Sequence, residues 1–163
     1  MRRILLLCVV LAGVLLPASA RPAVGGSNLP LKGSLSATSE HNLVTGQFHG
    51  VGNGKLTHFG LTTLEQNAQI VITGPPTTLN FTGTWTLTAA NGDQLFGTAT
   101  GIGHPTDATH ITLVIDYTST GGTGRFADAT ATFTATIYHT RVALVNGISY
   151  GEQQVTLDGQ LSW

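Results

Sequence analysis

The sequence predicts an all-β protein, an antiparallel β-barrel of eight or nine strands joined by short hairpin turns. Three observations predict it. From Leu31 onward, apolar residues recur at every second position, and no stretch shows helical spacing. Thr outnumbers even the 21 Gly, while charged residues make up only 9% of the chain, a composition that suits pleated sheet. Asn-Gly pairs and other turn signals cut the chain at short intervals. A meander of that many strands loses its free edges by closing into a barrel. Periodicity alone fits a β-sandwich equally well, such as an adhesin or a carbohydrate-binding module.

The N-terminus stands apart from this pattern. Arg2 and Arg3 precede an almost unbroken apolar run, Ile4 to Leu16, and Ala18-Ser19-Ala20 lies just before Arg21. This is the pattern of a secretory signal peptide cleaved after Ala20, which would place the mature chain outside the cell or in the periplasm. The single cysteine, Cys8, falls inside that segment. The mature chain would then hold no disulfide, no Cys-ligated metal and no thiol nucleophile. Residues 21–30, "RPAVGGSNLP", read as a flexible leader, leaving 31–163 as one domain.

Strands are expected near 31–39, 43–52, 55–64, 68–73, 79–90, 94–102, 109–118, 125–144 and 149–162. The clearest is "LNFTGTWTLTA", in which Leu79, Phe81, Gly83, Trp85, Leu87 and Ala89 share one face and Asn80, Thr82, Thr84, Thr86 and Thr88 the other. Asn53-Gly54, Asn91-Gly92 and Asn146-Gly147 are expected to be two-residue hairpin loops, because both residues tolerate the positive φ of a type I′ turn. That register sets Phe48 opposite Phe59, His49 opposite His58, Leu87 opposite Phe96 and Arg141 opposite Glu152. "TGPPTT", 73–78, is a further turn. A faint echo links "GVGNGKLTHFGL" (50–61) to "GIGHPTDATHITL" (101–113), as a duplicated hairpin would.

Charge narrows the function. Without Arg2 and Arg3, five of the seven Lys and Arg remain against eight Asp and Glu, a net charge near −3. No basic stripe is present, which argues against nucleic acid as a partner. No cofactor motif is found either. "TSTGGTGRFADATATF" (118–133) is rich in glycine, but Arg125 and Phe126 follow Gly124 where a phosphate-binding loop needs Lys and Ser or Thr and then a helix. Read locally, Gly121, Gly122 and Gly124 make a turn between two strands.

The same stretch resembles a known family. "GGTGRFADAT" is similar to the "GGTGxFxxAxG" segment of dirigent proteins and of plant allene oxide cyclases. "GNGKLTHFG" (52–60), "TAANGDQLFG" (88–97) and the glycine cluster follow one another as in secreted bacterial proteins with an allene oxide cyclase barrel-like domain. The resemblance spans nearly all of 31–163 and departs at Thr130 and Ala131, where the plant families close on Gly. It implies an eight-stranded antiparallel barrel and a homotrimer. It assigns no catalytic residue, since the plant families' carboxylates and arginines find no matching positions here.

Candidate site residues follow from chemistry. Asp116 is the one acid in mid-strand among apolar neighbours, with Tyr117 beside it and Arg125 across the glycine turn. Asp116 with Arg125 is therefore the expected polar site at a barrel mouth. Trp85, Phe81, Phe96 and Phe133 are expected to form core or to line an apolar pocket, which overlap inside an eight-stranded barrel. His49 and His58 are the weak candidates for a metal, completed by His110, Asp116 or His139. No G-x-S-x-G occurs, and no pair of acids is placed for hydrolysis. The sequence thus leads to an exported, soluble barrel that binds a small apolar or aromatic molecule. A cofactor-free cyclase or isomerase, or a dirigent-type guide of stereochemistry, is the alternative. A small outer-membrane barrel is a third reading, suggested by a C-terminal strand ending in Trp163.

Overall fold

The computed structural model describes residues 26–163. The signal-peptide reading, Cys8 with it, and the leader up to residue 25 lie outside the described residues. Eight antiparallel strands run in chain order and close on themselves: β1 (Leu29–Asn42), β2 (Gln47–Leu56), β3 (Gly60–Thr73), β4 (Thr78–Ala89), β5 (Gln94–Pro105), β6 (His110–Gly122), β7 (Thr130–Val145) and β8 (Ile148–Ser162). β1 completes the ring by pairing with β8 along its whole length, from Leu29 opposite Leu161 to Asn42 opposite Ile148. The barrel is therefore the architecture, and the sandwich is excluded.

The alternation read from the sequence becomes inside and outside. On β4, Leu79, Phe81, Trp85, Leu87 and Ala89 are buried, while the threonines between them lie at the surface or are half-buried. Most outward positions carry polar side chains, Val71, Ile102, Val114 and Tyr138 being exceptions, and most inward ones carry apolar side chains, with His41, Gln66, His139 and Gln153 as buried polar ones. This is the inverse of a membrane-spanning barrel, whose outer band is apolar and whose lumen is polar.

Two of the three expected Asn-Gly loops differ from expectation. Asn146-Gly147 is a two-residue loop, with φ of 51° and 80° and Val145 opposite Ile148. A bulge then intervenes at Val142, so Arg141 faces Gly151 and Glu152 faces Thr140 instead. Asn91-Gly92 is a turn, but one of four residues between Ala89 and Gln94. The register slips by one, Leu87 meets Leu95, and Phe96 is turned to the outer side over Gly121. Asn53-Gly54 is not a turn at all. It lies within β2, where a Cβ on Gly54 would come within 2.0 Å of the Ser34 carbonyl oxygen. Glycine is required there by close strand approach, a demand that local sequence does not distinguish from a turn. The chain reverses instead at residues 57–59, with His58 at φ 66° and Gly60 at φ 72°. Phe48 accordingly faces Ala68 and His41, and His49 faces Asn67 and Glu40.

Other boundaries shift less. The pieces 55–64 and 68–73 belong to β2 and one long β3, which brings the count to eight. β1 starts at Leu29, two residues inside the expected leader. Residues 125–129 precede β7 instead of starting it. The two echo segments reverse at opposite ends of the barrel, at 57–59 and 106–109.

Candidate ligand site

The barrel interior has three levels, built from inward residues of successive strands. At the end where β1 begins and β8 finishes, a single turn of 3-10 helix, Gly124–Phe126, follows the glycine cluster. Gly124 has φ 56°, and any Cβ there would lie 1.9 Å from Asp93 Oδ1. That turn sends Phe126 into the barrel mouth, where it is fully buried. Its ring stacks on Phe59 with centroids 4.3 Å apart, and Trp163 closes edge-on at 5.8 Å. The glycine cluster is thus the hinge of an aromatic plug. Such offset and edge contacts add to the large area each ring removes from water.

The middle level is aromatic as well. Tyr117 stacks on Phe133 at 4.7 Å, and Trp85 meets both rings edge-on, at 5.9 and 5.1 Å. The polar edges are satisfied: Trp85 Nε1 donates to the Thr98 carbonyl at 2.9 Å, and Gln66 Nε2 donates to Tyr117 Oη. Burial raises the tyrosine pKa, so the phenol stays neutral.

The opposite end is open. A cavity of about 160 Å³ reaches inward from the mouth formed by the loops 43–46, 74–77, 106–109 and 146–147. One wall is apolar, made by Phe48, Ile70, Leu79, Ile111 and Leu113 from β2, β3, β4 and β6. The other is polar, with His41 from β1, His139 and Arg141 from β7, and Ser149 and Gln153 from β8. The polar wall holds two separate hydrogen-bonded groups. Arg141 Nε donates to Ser149 Oγ at 3.0 Å and Nη1 to the Ala108 carbonyl at 3.3 Å. Gln153 Nε2 lies 3.3 Å from Ser39 Oγ and 3.5 Å from His139 Nδ1. The His139 ring occupies the space over Gly151, where a Cβ would come within 1.9 Å of its Cε1. Arg141 is the last inward residue of β7 before the bulge, so the bulge fixes where the guanidinium sits.

Both histidines are held neutral. His139 is pushed down to about 4, chiefly by burial and then by Arg141 and His41. His41 is lowered too, by burial first and Arg141 second. Among the described residues, two buried side-chain atoms have no hydrogen-bond partner, His41 Nε2 and Gln153 Oε1, and both residues line this cavity. Buried polar atoms without partners are rare and call for an explanation.

The residues expected to form a site are dispersed. Asp116 points outward and accepts from Thr134 Oγ1 at 2.7 Å. Arg125 lies at the plugged end, 3.8 Å from Asp93 and over the Phe126 ring. The strand pleat separates them: Tyr117 is inward, so its neighbour Asp116 must be outward. Of the aromatics, Phe81, Trp85 and Tyr117 are core, with Phe81 edge-on to Phe48 of the cavity wall at 5.6 Å. Phe96 is not inside, for the register reason given above. Of the histidines, His49 is on the outer face 3.4 Å from Glu65, and His58 packs on Trp163 at the plugged end. His110 pairs with Asp107 in its own loop. Among the described residues, no three His, Cys, Asp or Glu side chains converge as a metal would need.

His41, Arg141, Ser149 and Gln153 had no sequence signal as a site. The only hint was a polar residue at inward parity, and parity depended on a bulge and two turns that the sequence placed differently. A scan against protein-family models finds none that matches the chain, and no curated protein matches it significantly.

Proposed function

We propose that this chain is an exported, soluble barrel that binds a small, mainly apolar molecule in the cavity at its open end. The observation that carries this is the cavity itself: about 160 Å³, apolar on one wall, with two buried polar atoms on the other that lack partners. An apolar protein cavity of about 150 Å³ accommodates benzene, so the ligand is one ring or a short branched chain, with a portion at the mouth. Export rests on the N-terminal sequence pattern, and solubility is supported by the polar outer face. The resemblance to allene oxide cyclase-like and dirigent barrels agrees with this reading and brings the trimer with it. Val71, Ile102 and Val114, exposed side by side across β3, β5 and β6 around Asn80, offer an apolar face for such contacts.

The test is a heteronuclear NMR titration of residues 21–163 with neutral probes of this size, p-cresol and benzyl alcohol. The expected result is saturable shifts at Ile70, Leu113 and His139, and none at Phe59 or Phe126. Absence of saturable shifts with every probe sinks the proposal. Light scattering of the same sample decides between trimer and monomer.

A further inference from the structure

We infer that the ligand is an organic anion, a small aromatic or short-chain carboxylic acid whose carboxylate is received by Arg141. This rests on the binding reading above and adds the chemistry of the ligand's head group. The cavity is lined by one full positive charge and by no Asp or Glu. Among the described residues, Arg141 forms no ion pair, and its modest partners are a serine hydroxyl and a backbone carbonyl. The nearest acid along the neighbouring loop, Asp107, is committed to Thr109 and His110. Arg141 is half-buried beside the apolar wall with no counter-charge, and a planar carboxylate can meet its paired N–H donors.

The remaining polar atoms fit the same head group. His41 lines the cavity, and its buried Nε2 is unpartnered; as an N–H it is a second donor. The Gln153 amide satisfies Ser39 and His139 in either orientation. With Oε1 accepting from the Ser39 hydroxyl and from His139 Nδ1–H, its Nε2 becomes the unpartnered atom and a third donor. Phe48, Ile70, Leu79 and Leu113 then take the ring or chain. The volume excludes a long-chain acid lying wholly inside. No bond is made or broken; this is recognition.

The experiment is calorimetry on residues 21–163 with a matched pair, 3-phenylpropionate and 3-phenylpropanol, at pH 7 and low salt. The expected result is at least 10-fold tighter binding of the acid. Arg141→Met should remove that preference, bringing the affinities of acid and alcohol to within about threefold of each other. Arg141→Lys should keep a preference of reduced size, since it restores charge without the planar fork. Equal affinity of acid and alcohol for the unaltered chain overturns the anion inference while leaving the apolar site standing. That comparison needs no variant, so a variant that fails to fold does not blunt it. Binding of neither molecule overturns both readings.

Discussion

The two ends of this barrel are built from the same strands and do opposite things. At the plugged end, Phe59, Phe126 and Trp163 fill the lumen with stacked and edge-on rings. At the open end, inward positions are given to His41, Ser149, Gln153 and Arg141, which leave a cavity. Strand alternation is equal at both ends. The difference lies in what the connections supply: the glycine turn folds Phe126 inward, whereas the loops at the open end stay on the rim. An eight-stranded barrel has room for side chains or for one small ligand, and this chain fills one end with side chains and leaves a cavity at the other.

The largest effect that separates the ends should come from the plug. Phe126→Ala removes a fully buried ring and should cost about 3–5 kcal/mol. Denaturant unfolding would show it, and thermal melting should fall by roughly 10 °C or more. Ligand affinity at the open end should hold within about twofold at temperatures where the variant is folded. If affinity collapses with the plug, the ends are not independent.

Gly151→Ala reverses the pattern. Its methyl group would drive the His139 ring from its place over Gly151 and into the cavity. Binding of a small probe should drop at least 10-fold, with a stability loss of about 1–3 kcal/mol from overpacking. An unchanged titration would show that His139 does not border the bound ligand.

Acid should also act on the open end first. The folded pKa of His139 is depressed, so the unfolded chain takes up the proton before the folded one does. Stability is therefore full above about pH 6.5 and is lost progressively as pH falls toward about 4. His139→Gln should flatten that part of the melting-versus-pH curve, and Arg141→Gln should shift it toward higher pH by removing a neighbouring positive charge. A curve with no inflection in that window would mean that the histidine is not buried.

The smallest effects belong to the outer face. Asp116→Asn and Arg125→Gln should leave binding unchanged and alter stability by at most about 1 kcal/mol, because both side chains are exposed. Any loss of ligand affinity in Asp116→Asn would restore the site first expected from the sequence.

How much was legible follows from these particulars. Period-two alternation along β4 and β7 was plain, because burial of one face needs only sequence spacing. The Asn146-Gly147 loop was plain as well, since its positive φ values demand those residues. Asn53-Gly54 misled because a glycine needed for close strand approach looks like one needed for a turn. Phe96 misled because a four-residue turn in place of a two-residue one moves a side chain across the sheet. Arg141 carries a pairing signal toward Glu152, but the bulge beside it has no local signature and sends Glu152 to the outer surface.

The sequence by itself determined a Thr-rich β-meander with an apolar inside, because alternation, turn chemistry and scarce charge all depend on neighbours along the chain. Only the tertiary structure decided which polar residues share the lumen. His41, His139, Arg141 and Gln153 lie on three strands, and what unites them is ring closure between β1 and β8 together with a one-residue bulge in β7. Those are properties of register, and a register depends on the whole circuit of strand pairs.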